Sequence, residues 1–223
     1  YDRGIRRFGF HGLSFEYILC RLFEINPDVA SGRVVVAHLG AGASLCALLR
    51  GRSIATTMGF SSLDGLPMGS RSGSVDPGLL LYLIEHDKLS ISQLSHLLYH
   101  QSGLLGLSGL SSDMRQLQAS HELAAQRAVD YFIHCVKKQI AAMAATINGL
   151  DALVFTGGIG FHSAFVRAGV VEELRWMGLC LNNNANQHGE LCISSVESSV
   201  QIFVIETDEQ TMIARHTLEV INL

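Results

Sequence analysis

The stretch "GRVVVAHLGAGASLCALLRGRSIATTMG", Gly32 to Gly59, limits the possible folds most sharply. From Val34 to Leu49 it carries no Asp, Glu, Lys or Arg. Such a run is either buried or membrane-spanning, and it is shorter than the ~20 residues a spanning helix needs. His38, Gly40 and Gly42 also interrupt it. The β-branched run bounded by glycine predicts a buried strand over 32–40. Residues 43–59 predict two further strands joined at Arg50-Gly51, where Gly51 can take the positive φ of a hairpin turn. Three strands in succession over residues 33–57 form a sheet that other elements must cover.

Helical segments supply that cover. Pro77 suits the first turn of "DPGLLLYLIEHDK", with Asp76 as its cap. "SISQLSHLLYHQSG" predicts a short amphipathic helix ending at Gly103. The longest helix is expected from a cap at Ser120 to a stop near Gly149. Its Ala125, Val129, Phe132, Val136, Ile140, Ala144 and Ile147 recur at helical spacing and form one apolar stripe for the core. "LDALVFTGGIG" predicts a strand running into glycines and "HSAFVRAGVVEELRWMG" a helix. "LCISSVESSVQIFVIET" predicts one or two strands, and "DEQTMIARHTLEV" a closing helix. This order predicts a single α/β domain over residues 1–223.

Composition narrows the function classes. With 48% apolar and 16% charged residues, a folded core is expected. The formal net charge of −4 and dispersed basic residues give no footprint for nucleic acid. Neither a signal peptide nor a membrane span is apparent. The five cysteines form no C-x-x-C pair, so reduced thiols and a cytoplasmic location are expected.

Four glycine-flanked polar spots fall at element ends. "HLGAGAS", His38 to Ser44, can turn backbone N–H groups toward an anion, although a hairpin turn alone also explains its glycines. "FTGGIGFHS", Phe155 to Ser163, is a strand-to-helix passage where N–H groups can meet a phosphate, or where strand and helix simply pack closely. In "VIETDE", Glu206, Asp208 and Glu209 can offer oxygen ligands to Mg²⁺ or merely cap a helix. The last spot pairs "FGFHG" with "MGSRSG". Between Ile54 and Val75 only Asp64 and Arg71 are charged. His11 and Arg71 thus stand among glycines without acidic neighbours in sequence, and a guanidinium fork suits phosphate oxygens. Asp113 and Arg115 in "SSDMRQL" read by themselves as a helix N-terminus, with Ser112 or Asp113 as its cap.

Taken in order, "RRFGFHGLS", "VVAHLGAGAS", "TTMGFSSLDGLPMGSRSGSVDP", "GLSSDMR", "ALVFTGGIG" and "TDEQTMIAR" resemble the acetate kinase family (acetate, propionate and butyrate kinases). The resemblance implies an actin-like ATPase (ribonuclease H-like) domain with a mixed sheet and flanking helices. It implies reversible transfer of the γ-phosphate of ATP to acetate or a similar short-chain carboxylate, giving ADP and an acyl phosphate. By similarity, His11 and Arg71 stabilise the transferring group. His38, Leu39, Gly40, Ala41 and Gly42 lie along the phosphates. Asp113, Met114 and Arg115, with Gly158, Ile159, Gly160, Phe161 and His162, lie on the adenosine side, and Glu209 helps hold Mg²⁺.

The resemblance also implies a homodimer and covers only the family's C-terminal part. An N-terminal domain that completes the cleft is therefore expected to be absent from this chain, which opens on Tyr1 as though truncated. Alone, the chain is expected to be inactive or weak, and a catalytically silent nucleotide-binding or interaction module of the same fold is the alternative. Several positions depart from the family pattern. Ala41 replaces an asparagine, Phe161 and His162 replace Glu-Asn, and Ser62 replaces a proline of the acyl pocket. Leu13 and Phe15 stand for a threonine and a histidine.

Overall fold

The computed structural model describes residues 1–221. Its helices are α1 (Gly12–Ile25), α2 (Pro27–Ala30), α3 (Pro77–Glu85), α4 (Ile91–His100), α5 (Gly103–Ser108), α6 (Met114–Ala119), α7 (Leu123–Thr146), α8 (Gly157–His162), α9 (Ala164–Glu172), α10 (Asn183–His188) and α11 (Glu209–Ile221). The strands are β1 (Arg33–Leu39), β2 (Ala43–Leu49), β3 (Arg52–Thr56), β4 (Ala152–Thr156) and β5 (Gln201–Val204), in sheet order β3-β2-β1-β4-β5.

The sheet is mixed. β1 pairs antiparallel with β2, and β2 with β3, whereas β1, β4 and β5 run parallel. Arg50 and Gly51 both take positive φ, 51° and 72°, the conformation of the hairpin turn that matches strand twist. Alternation sorts the side chains by face. Val35, Ala37, Leu39, Leu45, Leu153 and Phe155 pack with α7, while Val34, Val36, Cys46, Ala152 and Val154 pack with α1 and α2. With both faces covered, nearly every residue of β1, β2 and β4 is buried, which accounts for the uncharged run in the sequence.

The stripe on α7 is buried as its spacing requires. Its start differs from the expectation, because Glu122 occupies the cap position without a side-chain bond. Ser120 closes α6 instead, donating its N–H to the Leu117 carbonyl. Gly103 does not end α4, which stops at His100; it opens α5 at φ 61°. The glycines after β4 form α8 itself rather than a turn before a helix. Where two strands were possible near the C-terminus, one forms, with isolated bridges Leu181↔Ser194 and Cys192↔Phe203. No helix was expected over 12–30 or 183–188, where α1, α2 and α10 lie.

This topology concentrates loops at one edge. His38 is level with Thr156, and Phe155 with Val204, so β1, β4 and β5 all end there. The β1–β2 turn, α8 and the approach to α11 therefore leave the sheet side by side.

Candidate active site

His11 sits at the start of α1 in the left-handed region, φ 61° and ψ 27°. Its ring stacks on His38, with centroids 4.2 Å apart and planes 16° apart. Each imidazole is fixed through Nδ1: His11 hydrogen-bonds Ser44 Oγ at 2.8 Å, and His38 hydrogen-bonds Ser14 Oγ at 2.8 Å. Ser44 reaches His11 because it faces His38 across the β1–β2 ladder. Where the serine hydroxyls donate to Nδ1, the neutral ring carries its proton on Nε2 and can donate from there.

Burial favours neutral rings here. It lowers the His11 pKa, with a smaller contribution from the Arg71 charge. Burial also takes His38 down to about 3, helped by His11. Near neutral pH both imidazoles are therefore uncharged.

Arg71 reaches the same point. A Cβ placed on Gly42 would lie 3.0 Å from His11 Nε2 and 3.8 Å from Arg71 Nη2. On Gly40, it would lie 3.7 Å from the Gly158 amide nitrogen and 3.9 Å from His38 Nε2. The turn thus passes close beneath both imidazoles, the guanidinium and the start of α8, without side chains to fill the space.

Among the described residues no carboxylate neutralises the Arg71 charge. Asp64, the other charged residue of its stretch, pairs with Arg7 at 3.5 Å and accepts from Ser74 Oγ at 2.8 Å. Arg71 Nη1 donates to the Ser62 carbonyl at 3.2 Å, and among the described residues Arg71 makes no ion pair. Its loop is held by backbone bonds to α5: Ser102 N–H to the Ser70 carbonyl, Leu104 N–H to Met68 and Leu105 N–H to Gly69, at 2.8–2.9 Å. Gly69 N–H also donates to the Ala41 carbonyl at 3.2 Å, joining the arginine loop to the β1–β2 turn. A cationic donor on such a fixed frame needs little reorganisation when an anion arrives.

Beside this point lies a cavity of about 750 Å³. Gly40, Ala41, Asp113, Met114, Arg115, Gly158, Ile159 and His162 line it, joining three separate sequence motifs. Asp113 caps α6 by accepting from the Arg115 N–H at 2.9 Å and pairs with the Arg115 guanidinium at 2.6 Å. The hydrogen bonds from Arg115 hold its carboxyl below the usual range. His38, Leu39, Gly42, Gly160 and Phe161 are not among the lining residues. Leu39 and Gly160 are buried, and the Phe161 ring packs against the core. Ser112, Gln118 and Ser163 also line the cavity; in the sequence Ser112 reads only as a helix cap, Ser163 only as the end of the glycine-rich passage, and Gln118 carries no signal. Ser14 and Ser44, which fix the imidazoles, were likewise missed, because their partners come from distant chain segments.

Glu209 opens α11, beyond β5, from the same sheet edge. Asp208 is engaged with Thr211, accepting from its N–H at 2.9 Å and its hydroxyl at 2.6 Å. Among the described residues Thr207 Oγ1 is buried without a partner. Among the described residues no group of three His, Cys, Asp or Glu side chains is gathered for a metal.

The Acetokinase family model matches residues 1–215. The acetate kinase of Methylocella silvestris is 53% identical over 222 residues, covering all of this chain and 55% of its own length. That of Rickettsia felis is 43% identical over 219 residues, covering 98% of this chain and 57% of its own. Among solved structures, acetate kinase from Porphyromonas gingivalis superposes with a TM-score of 0.94 at 37% identity, covering 99% of this chain and 58% of that one. A propionate kinase from Francisella tularensis gives 0.91 at 38%, with 96% and 56% covered. The chain spans about half the length of the curated relatives it matches.

Proposed function

The chain belongs to the acetokinase family and has its actin-like ATPase fold, and from that premise we propose that it takes part in ATP-dependent phosphorylation of acetate or a similar short-chain carboxylate. The observation carrying this reading is the approach of His11 Nε2 and Arg71 Nη2 to one point above Gly42. A carboxylate oxygen attacks the γ-phosphorus in line, the bond to the β-phosphate oxygen breaks, and ADP leaves. The transferring group spreads negative charge over its equatorial oxygens, so catalysis rests on position and electrostatics. Arg71 supplies a charged fork for those oxygens, and neutral His11 donates from Nε2. The cavity between α6 and α8 receives the nucleotide, with Gly40 and Gly42 letting the phosphates approach the backbone.

Mg²⁺ usually keeps several waters and takes one or two carboxylates plus substrate phosphates. Glu209 offers one such carboxylate, and a metal held largely by phosphates and water needs no three-residue cluster, of which there is none among the described residues. Bound there, the ion would neutralise phosphate charge.

The remaining part of the family's length supplies the facing wall of the cleft in this reading, so residues 1–223 alone turn over weakly or not at all. A second copy covers α3 and α4. The nine residues of α3 include none that is buried, and Leu81 and Ile91 are 60% and 71% exposed. The family reading and the free thiols support a cytoplasmic protein. Ala41, with no side-chain donor at the phosphate turn, favours a second reading, a silent nucleotide-binding module. Hydroxamate capture of acyl phosphate from ATP with acetate, propionate or butyrate separates the two in the full natural chain. Product that depends on Arg71 supports the kinase, and ADP binding without product supports the silent module.

A further inference from the structure

Arg167 on α9 is 1% exposed, among the most completely buried large side chains of the molecule. A cation in such a place ordinarily has a carboxylate beside it. Arg167 has none among the described salt bridges. Its guanidinium is spent on neutral acceptors: Nη1 donates to the Gly160 carbonyl at 2.9 Å and the Phe161 carbonyl at 2.5 Å. On the other side Nε donates to Asn186 Oδ1 at 2.7 Å and Nη2 to the Asn186 carbonyl at 2.8 Å. Asn186 is itself buried and returns its Nδ2 to the Ala164 carbonyl at 2.9 Å. The fork therefore bolts the last turn of α8 to α10.

What α8 presents on its other side is the nucleotide cavity, through Gly158, Ile159 and His162. The Phe161 ring meets the His162 ring edge-on, with centroids 4.9 Å apart and planes at 80°. Fixing the Phe161 carbonyl thus also fixes the surface against which His162 leans. A helix this short, half of it glycine, has little stiffness of its own. An apolar residue could fill the volume behind it at lower desolvation cost. Four directed hydrogen bonds achieve what apolar packing cannot, a defined position for the carbonyls and hence for the cavity wall.

We propose that Arg167 is a positioning residue for the nucleotide, holding the Gly158–His162 wall in its receptive shape without touching the ligand. This rests on the cavity being the nucleotide site. Loss of one hydrogen bond from a charged donor of this kind corresponds to roughly ten- to a hundredfold in an equilibrium.

The test compares the full natural chain with its Arg167→Met, Arg167→Lys and Asn186→Ala variants. ADP binding by calorimetry, KM for nucleotide and for carboxylate, and thermal unfolding are measured on each. Arg167→Met is expected to raise the ADP Kd and the nucleotide KM on the order of tenfold or more, with the carboxylate KM unchanged. Arg167→Lys is expected to recover part of the loss, since a lysine keeps charge but not the fork. Unchanged ADP affinity in a folded Arg167→Met protein overturns the proposal, as does an equal rise in both Michaelis constants, which marks a general structural loss. Should Arg167→Met fail to fold, Asn186→Ala decides: weaker ADP binding with the carboxylate KM intact supports the proposal, and unchanged ADP binding overturns it. If the unaltered protein does not bind ADP, the nucleotide reading falls as well, whereas normal wild-type binding with an indifferent variant removes only the role of Arg167.

Discussion

Replacing Gly42 with alanine tests the convergence at the site with a single methyl group. Gly42 is not among the positive-φ residues, so alanine can adopt its backbone. The new Cβ would stand 3.0 Å from His11 Nε2 and 3.3 Å from its Cε1, closer than carbon normally approaches a ring. The imidazole must retreat by about half an ångström to restore contact at ~3.5 Å. Its retreat is opposed by the His38 stack and by the 2.8 Å bond from Nδ1 to Ser44. A 1 Å misplacement at a reacting centre costs on the order of a hundredfold, so half that displacement corresponds to about tenfold, or ~1.4 kcal/mol in the barrier. The methyl also intrudes where the phosphoryl oxygens are proposed to lie, which adds to the loss. Hydroxamate formation by the full natural chain is therefore expected to fall roughly ten- to a hundredfold in kcat. Gly40→Ala, whose Cβ meets nothing closer than the Gly42 carbonyl at 3.3 Å, is expected to act more mildly and mainly on nucleotide KM. A folded Gly42→Ala enzyme with wild-type kcat would refute the reasoning.

Arg71→Ala is expected to lower kcat on the order of a hundredfold or more, and Arg71→Lys to recover only part, because the fork is lost; equal turnover of the lysine and wild-type enzymes would contradict a bidentate role. Since burial depresses the His38 pKa to about 3, the unfolded chain takes up the proton first, and stability falls as pH drops below the unfolded value near 6.5. Urea unfolding between pH 6.5 and 5 is expected to show a His38 contribution approaching ~1.4 kcal/mol per pH unit, which disappears in His38→Gln; an unaltered slope in that variant counts against it. Gly103→Ala puts a Cβ 2.2 Å from the Met68 carbonyl oxygen and 2.6 Å from that of Arg71 at a φ of 61°. It is expected to cost roughly 2–5 kcal/mol from left-handed strain and overpacking. A melting temperature within a degree of wild type would show that the arginine loop is not pinned as described.

The sheet was readable because β1 and β2 are buried on both faces, which leaves a charge-free, glycine-bounded run, and because Arg50-Gly51 marks the reversal. The α7 stripe was readable for the same reason: one helix face meets one core. α1 carries Phe15, Ile18 and Leu22 at helical spacing. Its start, however, is a left-handed histidine followed by glycine, with no Ser, Thr, Asp or Asn capping signal. Gly103 looks like a stop because positive-φ glycine usually ends a helix; here backbone crowding under Met68 and Arg71 demands it at a helix start.

At the site, His11 and Arg71 stood out through what their neighbours lack. The groups that position them did not. Ser44 is an ordinary strand residue until the β1–β2 register sets it opposite His38, and Ser14 meets His38 only when α1 packs on the sheet. Arg167 is equally silent in sequence, since its acceptors are backbone carbonyls and an asparagine. Non-local pairing decides these roles.

The central claim is that Arg71 and His11 act together on the transferring phosphoryl group. A crystal structure of the full natural chain with ADP, acetate and aluminium fluoride, a planar mimic of that group, tests it most directly. Arg71 should leave the Ser62 carbonyl and, with His11 Nε2, lie at hydrogen-bond distance, roughly 2.7–3.2 Å, from the mimic. A mimic bound elsewhere, or in contact with only one of the two side chains, would contradict the account.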